Sequence, residues 1–153
     1  MDARLKYVKG SLFEAPKGVA LLHACNTRGT WGSGIALQFK QKFPDSYKAY
    51  NRYCLNNPGC LGKSLVIEEK GYKIACLMTS RDYGTRVDSP PEILVATNKA
   101  LLHLLQNNPD LKNIHSPKIN AGLFKTPWND TEEVIHSNIQ KYNGVQWTVW
   151  EFE

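Results

Sequence analysis

Apolar and polar positions follow two periods along this chain, and the period changes often enough to mark strands interleaved with helices. Leu5-Lys6-Tyr7-Val8-Lys9 alternates and stops at Gly10, which predicts a first strand. Over residues 19–24 every position but His23 is apolar, the pattern of a central strand covered on both faces. Ile35, Phe39 and Phe43 recur every four residues and mark one face of a helix that stops before Pro44. Asp45 is the candidate cap of a second helix carrying Tyr47, Tyr50 and Cys54.

After the turn at Asn56-Asn57-Pro58-Gly59 come two strand-like runs, residues 64–67 and 72–78, with 68–71 as the hairpin between them. Ser89-Pro90-Pro91-Glu92 is a strong helix-start signal. Leu94, Leu101, Leu104 and Leu105 then share one broad face up to Pro109. Residues 114–120 resemble another strand, in which Pro117 is tolerated only at an edge or bulge. A helix beginning at Asn129 or Asp130 runs through Val134, Ile135 and Ile139, and residues 145–152 form a closing strand. The sum predicts an α/β fold, a three-layer α/β/α sandwich with a mixed central sheet, in one domain over residues 1–153.

Composition narrows the function classes. At 42% hydrophobic, 153 residues suffice for a full core. The net charge of +5 suits an anionic ligand, but the lysines are scattered and form no basic stripe, so a small molecule is the expected partner and nucleic acid is not. The segment Met1-Asp2-Ala3-Arg4-Leu5-Lys6 has no apolar core of a signal peptide and no run could span a bilayer, so a soluble cytoplasmic or nuclear protein is expected. Cys25, Cys54, Cys60 and Cys76 contain no C-x-x-C pair and read as free core thiols. No metal and no cofactor are expected, and the chain is expected to act as a monomer.

The chemistry concentrates at the end of the central strand. His23-Ala24-Cys25-Asn26 leads into Gly29-Thr30-Trp31-Gly32-Ser33-Gly34 and then a helix start. A buried strand, a loop of closely approachable backbone and a helix N-terminus together make a site for a diphosphate. Trp31 suits either a flat ligand surface or packing on the neighbouring helix. A second loop, Pro117-Lys118-Ile119-Asn120-Ala121-Gly122 onward to Trp128, again follows a strand and precedes a helix. Two such loops at one sheet edge would face each other across a cleft. Phe124 could stack on a base or ribose, or simply pack. Gly62-Lys63-Ser64 is no phosphate-binding P-loop, because Asn57 stands at the first glycine position and a strand follows instead of a helix.

For hydrolytic chemistry, no cysteine has an arginine six residues on: Trp31, Cys60, Val66 and Asp82 occupy those positions. A phosphocysteine route is unsupported. His23 is the candidate general acid or, as one polar side chain inside an apolar strand, a hydrogen-bonded core residue, and Asn26 is the candidate to hold ligand hydroxyls or orient a water. Asp82 and Asp88, in the loop after the fourth strand, are candidates for a base. His103, His115 and His136 read as surface or packing residues.

Tyr7-Val8-Lys9-Gly10-Ser11, His23-Ala24-Cys25-Asn26, Trp31-Gly32-Ser33-Gly34-Ile35-Ala36 and Ile119-Asn120-Ala121-Gly122-Leu123-Phe124 occur in that order over essentially the whole chain. Together they resemble the macrodomain family, and with Pro127-Trp128 they resemble its fungal phosphatase branch. The resemblance implies a deep cleft for ADP-ribose, with Gly10, Ser11 and Leu12 near the adenine. Trp31, Gly32, Ser33, Gly34, Ile35 and Ala36 would wrap the diphosphate. Ile119, Asn120, Ala121, Gly122, Leu123 and Phe124 would close over it, followed by Lys125 and Thr126. Ala24, Cys25 and Asn26 would reach the distal ribose.

The activity implied is removal of the terminal phosphate from ADP-ribose 1''-phosphate, a substrate that the family context connects to the cyclic-phosphate by-product of tRNA splicing. A non-catalytic ADP-ribose reader, and a hydrolase removing ADP-ribose from proteins or acetyl esters, are the alternatives. Two departures stand out. The family carboxylate that holds the adenine amino group falls at Ser11, and the lysine and aspartate of related deacylases fall at Ser80 and Phe124.

Overall fold

The structure, a computed structural model, describes residues 5–142 and 144–151. The N-terminal reading of Met1 to Arg4 and the Phe152 end of the closing strand lie outside the described residues. Among the described residues the elements run β1 (Leu5–Lys9), β2 (Ala20–Asn26), α1 (Gly34–Lys42), α2 (Pro44–Asn56), β3 (Ser64–Glu69) and β4 (Tyr72–Ser80). They continue with α3 (Pro90–Asn107), β5 (Asn113–Ser116), α4 (Trp128–Ile139) and β6 (Gln146–Glu151). The strands form one sheet in the order β1-β6-β5-β2-β4-β3, parallel throughout except for the antiparallel β3–β4 edge. This is the expected mixed sheet between two helical layers.

The uninterrupted apolar run of β2 follows from its place in the middle of that sheet. Ala20 and Leu22 enter a core with Leu101, Leu104, Ile135 and Ile139, on the side of α3 and α4. Leu21 and Cys25 point the other way, into a core with Phe39, Phe43 and Tyr50 from α1 and α2. Each fully buried leucine contributes roughly 2 kcal/mol, so the strand is fixed from both sides.

Local chemistry moves several boundaries. β5 stops at Ser116 instead of running to Asn120. It lies between β6 and β2, where Pro117 would leave a ladder bond unmade, so the strand ends one residue before it. Asp45 does not cap α2; Pro44 takes the first helical position after Phe43, its fixed φ already helical, and Asp45 lies in the first turn beside the positive end of the helix dipole. α4 likewise begins at Trp128 behind Pro127, ahead of the expected Asn129 or Asp130. The β3–β4 turn is tighter than predicted: Lys70 (φ 53°) and Gly71 (φ 86°) are both left-handed, the geometry of a two-residue hairpin whose twist matches its strands.

The helix start at Ser89 forms as expected. Ser89 Oγ accepts the Glu92 N–H at 3.4 Å, and Glu92 Oε1 accepts the Ser89 N–H at 3.1 Å. The buried face of α3 is carried by Ile93, Ala96, Thr97, Ala100, Leu101, Leu104 and Leu105, with Leu94 only half-buried at its margin. No helix among the described residues is long and apolar enough to cross a membrane. Replacing the cap, Ser89→Ala, is expected to lower the unfolding free energy by about 1 kcal/mol, read as a shift in urea midpoint without a change in slope.

Candidate ligand-binding cleft

A cleft of about 1120 Å³ opens among residues at the C-terminal ends of β2, β5 and β6 and the loops that follow β2, β4 and β5. The loop from β2 to α1 and the loop from β5 to α4 both line it, and they meet: a Cβ placed on Gly34 would lie 3.4 Å from Leu123 Cδ1. Tyr83, Gly84 and Thr85, just after β4, form part of the rim.

The first loop is shaped by an asparagine and an aromatic plug. Asn26, the last residue of β2, donates from Nδ2 to the Thr30 carbonyl at 2.9 Å and accepts the Arg28 N–H on Oδ1 at 2.9 Å. Tyr50 donates its hydroxyl to the Asn26 carbonyl at 2.6 Å. Gly29, at φ 80°, lies against α2, where a Cβ would come within 3.2 Å of Cys54 Cβ. Trp31 takes the packing role: its ring is buried, stacked on Tyr50 at 4.9 Å and edge-on to His23 at 4.7 Å. The loop is thereby stapled to α2, and α1 starts at Gly34 (φ 59°) with no side-chain cap from Ser33. Residues 33–36 line the cleft. An uncapped helix start whose N–H groups meet a cavity is suited to an anion.

The second loop depends on Asn120, a non-glycine residue at φ 66°, a conformation that asparagine tolerates better than most residues. Its Oδ1 accepts from Thr79 Oγ1 at 2.9 Å, its Nδ2 donates to Thr97 Oγ1 at 3.0 Å, and its carbonyl accepts the Thr126 N–H at 2.8 Å. One side chain thus ties the loop to β4 and α3. Gly122 faces open space.

The proton-transfer candidates fare differently. His23 is fully buried, stacked face to face on Phe39 at 3.9 Å, and burial pushes its pKa down to about 3. It is neutral at physiological pH, which suits a core residue better than a proton donor. Burial also pushes the Cys25 thiol up. The ligand atoms of His23, Cys25 and Cys76 lie within 4.8 Å of one another. Cys25 Sγ is 3.8 Å from Nδ1 and 3.6 Å from Nε2 of His23, and all three residues are buried.

Asp82 and Asp88 do not line the cleft. The Tyr83 N–H, and then Arg28 at 2.9 Å, hold the Asp82 carboxylate below its usual range. Asp88 is buried and accepts from the Arg81 backbone at 2.9 Å and its guanidinium at 3.0 Å. Ser80 is buried and donates to the Asp82 carbonyl at 2.7 Å.

The cleft brings together Ala24, Cys25 and Asn26, residues 31–36 and residues 119–125, with His23 beneath. It leaves out Gly10, Ser11, Leu12 and Thr126. Ser11 caps a short turn, its Oγ accepting the Phe13 N–H at 3.3 Å while Glu14 accepts its own N–H at 3.0 Å. Leu12 and Thr126 are buried. Residues that the sequence reading did not single out also line it, including Lys40, Tyr47, Trp150 and Glu151. Lys40 was findable, because it stands four residues after Ala36 on the same helix face. Trp150 and Glu151 arrive from the far end of the chain and carried no local signal.

Two outcomes are expected. An unfolded imidazole titrates near 6.5 and His23 near 3, so between these values the unfolded state binds more protons and stability rises with pH. Urea unfolding at pH 5 should therefore show about 2 kcal/mol less His23-dependent stability than at pH 7.5, a component absent from His23→Leu. Asn120→Ala should lower stability by about 3 kcal/mol, because it orphans buried threonine hydroxyls and strains a left-handed residue; thermal unfolding measures this.

The Macro domain family profile matches residues 22–135. The ADP-ribose 1''-phosphate phosphatase of Candida albicans is 39% identical, covering 95% of this chain and 98% of its own length. That of Meyerozyma guilliermondii is 35% identical, covering 87% and 93%. Among solved structures, the macrodomain of Mycobacterium tuberculosis DarG is 26% identical, superposes with a TM-score of 0.82 and covers 95% of this chain and 96% of that one. With the sheet order and the paired loops, these matches establish that the chain belongs to the Macro domain family.

Proposed function

We propose that this chain is a phosphatase acting on ADP-ribose 1''-phosphate. The observation that carries the reading is the uncapped N-terminus of α1 meeting the second loop inside one cleft. Such a geometry suits a pyrophosphate gripped by backbone N–H groups from two sides. The relatives bearing the phosphatase name at 35–39% identity support the choice of substrate. In the reaction a water oxygen attacks the terminal phosphorus, the bond to the 1''-oxygen breaks, and a proton reaches that oxygen. The products are inorganic phosphate and ADP-ribose.

Lys40, Lys118 and Lys125 line the cleft against the carboxylate of Glu151, a balance that attracts an anionic substrate. Asn26 acts in this reading as a positioning residue, its amide holding the loop in place. His23 supports that loop from below as a neutral ring under Trp31. The buried, unbonded cysteines suit a reducing compartment, the cytoplasm or nucleus.

The test is incubation of the purified chain with ADP-ribose 1''-phosphate, with and without chelator, while phosphate and ADP-ribose are both measured. One phosphate per ADP-ribose is expected. Tight ADP-ribose binding without phosphate release would instead assign a reader, and release of ADP-ribose from modified protein a de-ADP-ribosylating hydrolase. Gly122 lines the cleft, has no positive φ, and a Cβ there would meet nothing within 4 Å. Gly122→Val should therefore keep the melting temperature yet raise KM at least about tenfold by occupying ligand space.

A further inference from the structure

Most aromatic rings that line the cleft are packed away: Trp31 is buried, and Tyr47, Phe124 and Trp150 are partly so. Tyr83, just after β4, is the exception. It lines the rim with 51% of its surface exposed, and its hydroxyl has no hydrogen-bond partner among the described residues. The buried tyrosines differ, Tyr50 donating to the Asn26 carbonyl at 2.6 Å and Tyr72 to the Ala15 carbonyl at 2.6 Å. We propose that Tyr83 is the specificity-determining residue for the terminal phosphate, its phenol O–H donating to a phosphate oxygen beyond the distal ribose. This rests on the phosphatase reading and adds to it a side chain that tells the phosphorylated substrate from its product.

Sheet register places the residue. In the ADP-ribose reading Ala24, Cys25 and Asn26 reach the distal ribose, and Asn26 is in register with Ser80 on the neighbouring strand β4. Neighbouring strands lie about 4.8 Å apart, so the chain that runs on from Ser80 to Tyr83 borders the space one strand beyond that sugar. The loops that suit the pyrophosphate follow β2 and β5, and β4 lies outside both. A phosphate ester on the distal sugar extends the ligand toward this rim.

The main chain of the rim is fastened to the glycine loop. The Thr27 N–H donates to the Ser80 carbonyl at 2.9 Å, and Thr27 Oγ1 donates to the Arg81 carbonyl at 3.1 Å. Arg28 bridges to Asp82 Oδ2 at 2.9 Å, and Oδ1 of the same carboxylate accepts the Tyr83 N–H at 2.8 Å. The Tyr83 carbonyl accepts the Arg86 N–H at 3.2 Å. Asp82 therefore acts as a clamp between Tyr83 and the loop that begins at Asn26. A donor carried on so fixed a backbone discriminates better than one on a mobile segment.

The chemistry suits a monoester. Its phosphate presents three strong acceptor oxygens, and a hydrogen bond to an ionised acceptor is about twice as strong as one between neutral groups. ADP-ribose lacks that group and ends in sugar hydroxyls, which exchange a water contact for little gain. A hydroxyl that grips the ester phosphate thus favours substrate over product, which lets ADP-ribose leave.

The test compares Tyr83→Phe with the parent chain in two measurements: kcat/KM on ADP-ribose 1''-phosphate, from phosphate release, and the Kd of ADP-ribose, by calorimetry. The substitution keeps the ring and removes only the hydroxyl, so a ring that merely packs would leave both unchanged. kcat/KM is expected to fall at least about tenfold, with the Kd of ADP-ribose within about twofold of the parent's. If Tyr83→Phe turns over the substrate as the parent does, the assignment of Tyr83 falls and the phosphatase reading stands. If ADP-ribose binding weakens by the same factor as turnover, the hydroxyl meets a part that substrate and product share, and the assignment to the terminal phosphate falls. If the parent itself releases no phosphate, the phosphatase reading falls and takes this assignment with it. A melting temperature equal to the parent's separates a lost contact from a lost fold.

Discussion

A buried tyrosine hydroxyl, 2.6 Å from the carbonyl of Asn26, ties the end of β2 to the middle of α2. Most of the cleft follows from that contact. It fixes the residue at which the parallel ladder ends and the glycine loop begins, and Asn26 then turns its own amide onto Arg28 and Thr30. Trp31, stacked on the same Tyr50, closes the staple from the far side of the loop. With both ends held, α1 starts at Gly34 without a side-chain cap, and its first residues line the cleft. An ordinary Ser or Asp cap would satisfy those donors internally and compete with an anion for them.

The two walls reach the same end by different chemistry. The first loop uses glycines, at Gly29 because α2 leaves no room for a side chain and at Gly34 because φ is positive. The second uses an asparagine in a left-handed conformation, with its amide buried among threonine hydroxyls of β4 and α3. In both, an internal polar network supplies the rigidity, so the backbone facing the cavity remains available to a ligand. Preorganised N–H groups lose little entropy when they bind an anion.

Burial decides the fate of His23. An imidazole pressed against Phe39 and Trp31 with no exposed surface stays neutral, and its ring acts as a flat aromatic beneath the loop. The charged residues that line the cleft are instead lysines on α1 and the second loop, and Glu151 at the end of β6.

The strand and helix order, the mixed sheet, the capping box at Ser89 and the two loops that line the cleft were all legible in the chain, because each is set by local periodicity, cap chemistry or glycine placement. So was the family resemblance, which rests on runs of adjacent residues. Three things were decided only by tertiary packing. Trp31 could face a ligand or a helix, and only the fold shows that its ring packs on Tyr50 while the residue lines the cleft. His23 read as either a proton donor or a core residue, and only the fold encloses it between two aromatic neighbours, one of them sixteen residues away. Glu151 and Trp150 joined the cleft only because β6 inserts between β1 and β5, bringing the end of the chain beside its beginning. Pattern along a chain reports what each residue prefers nearby; which side chains share a cavity depends on the order in which distant strands pair.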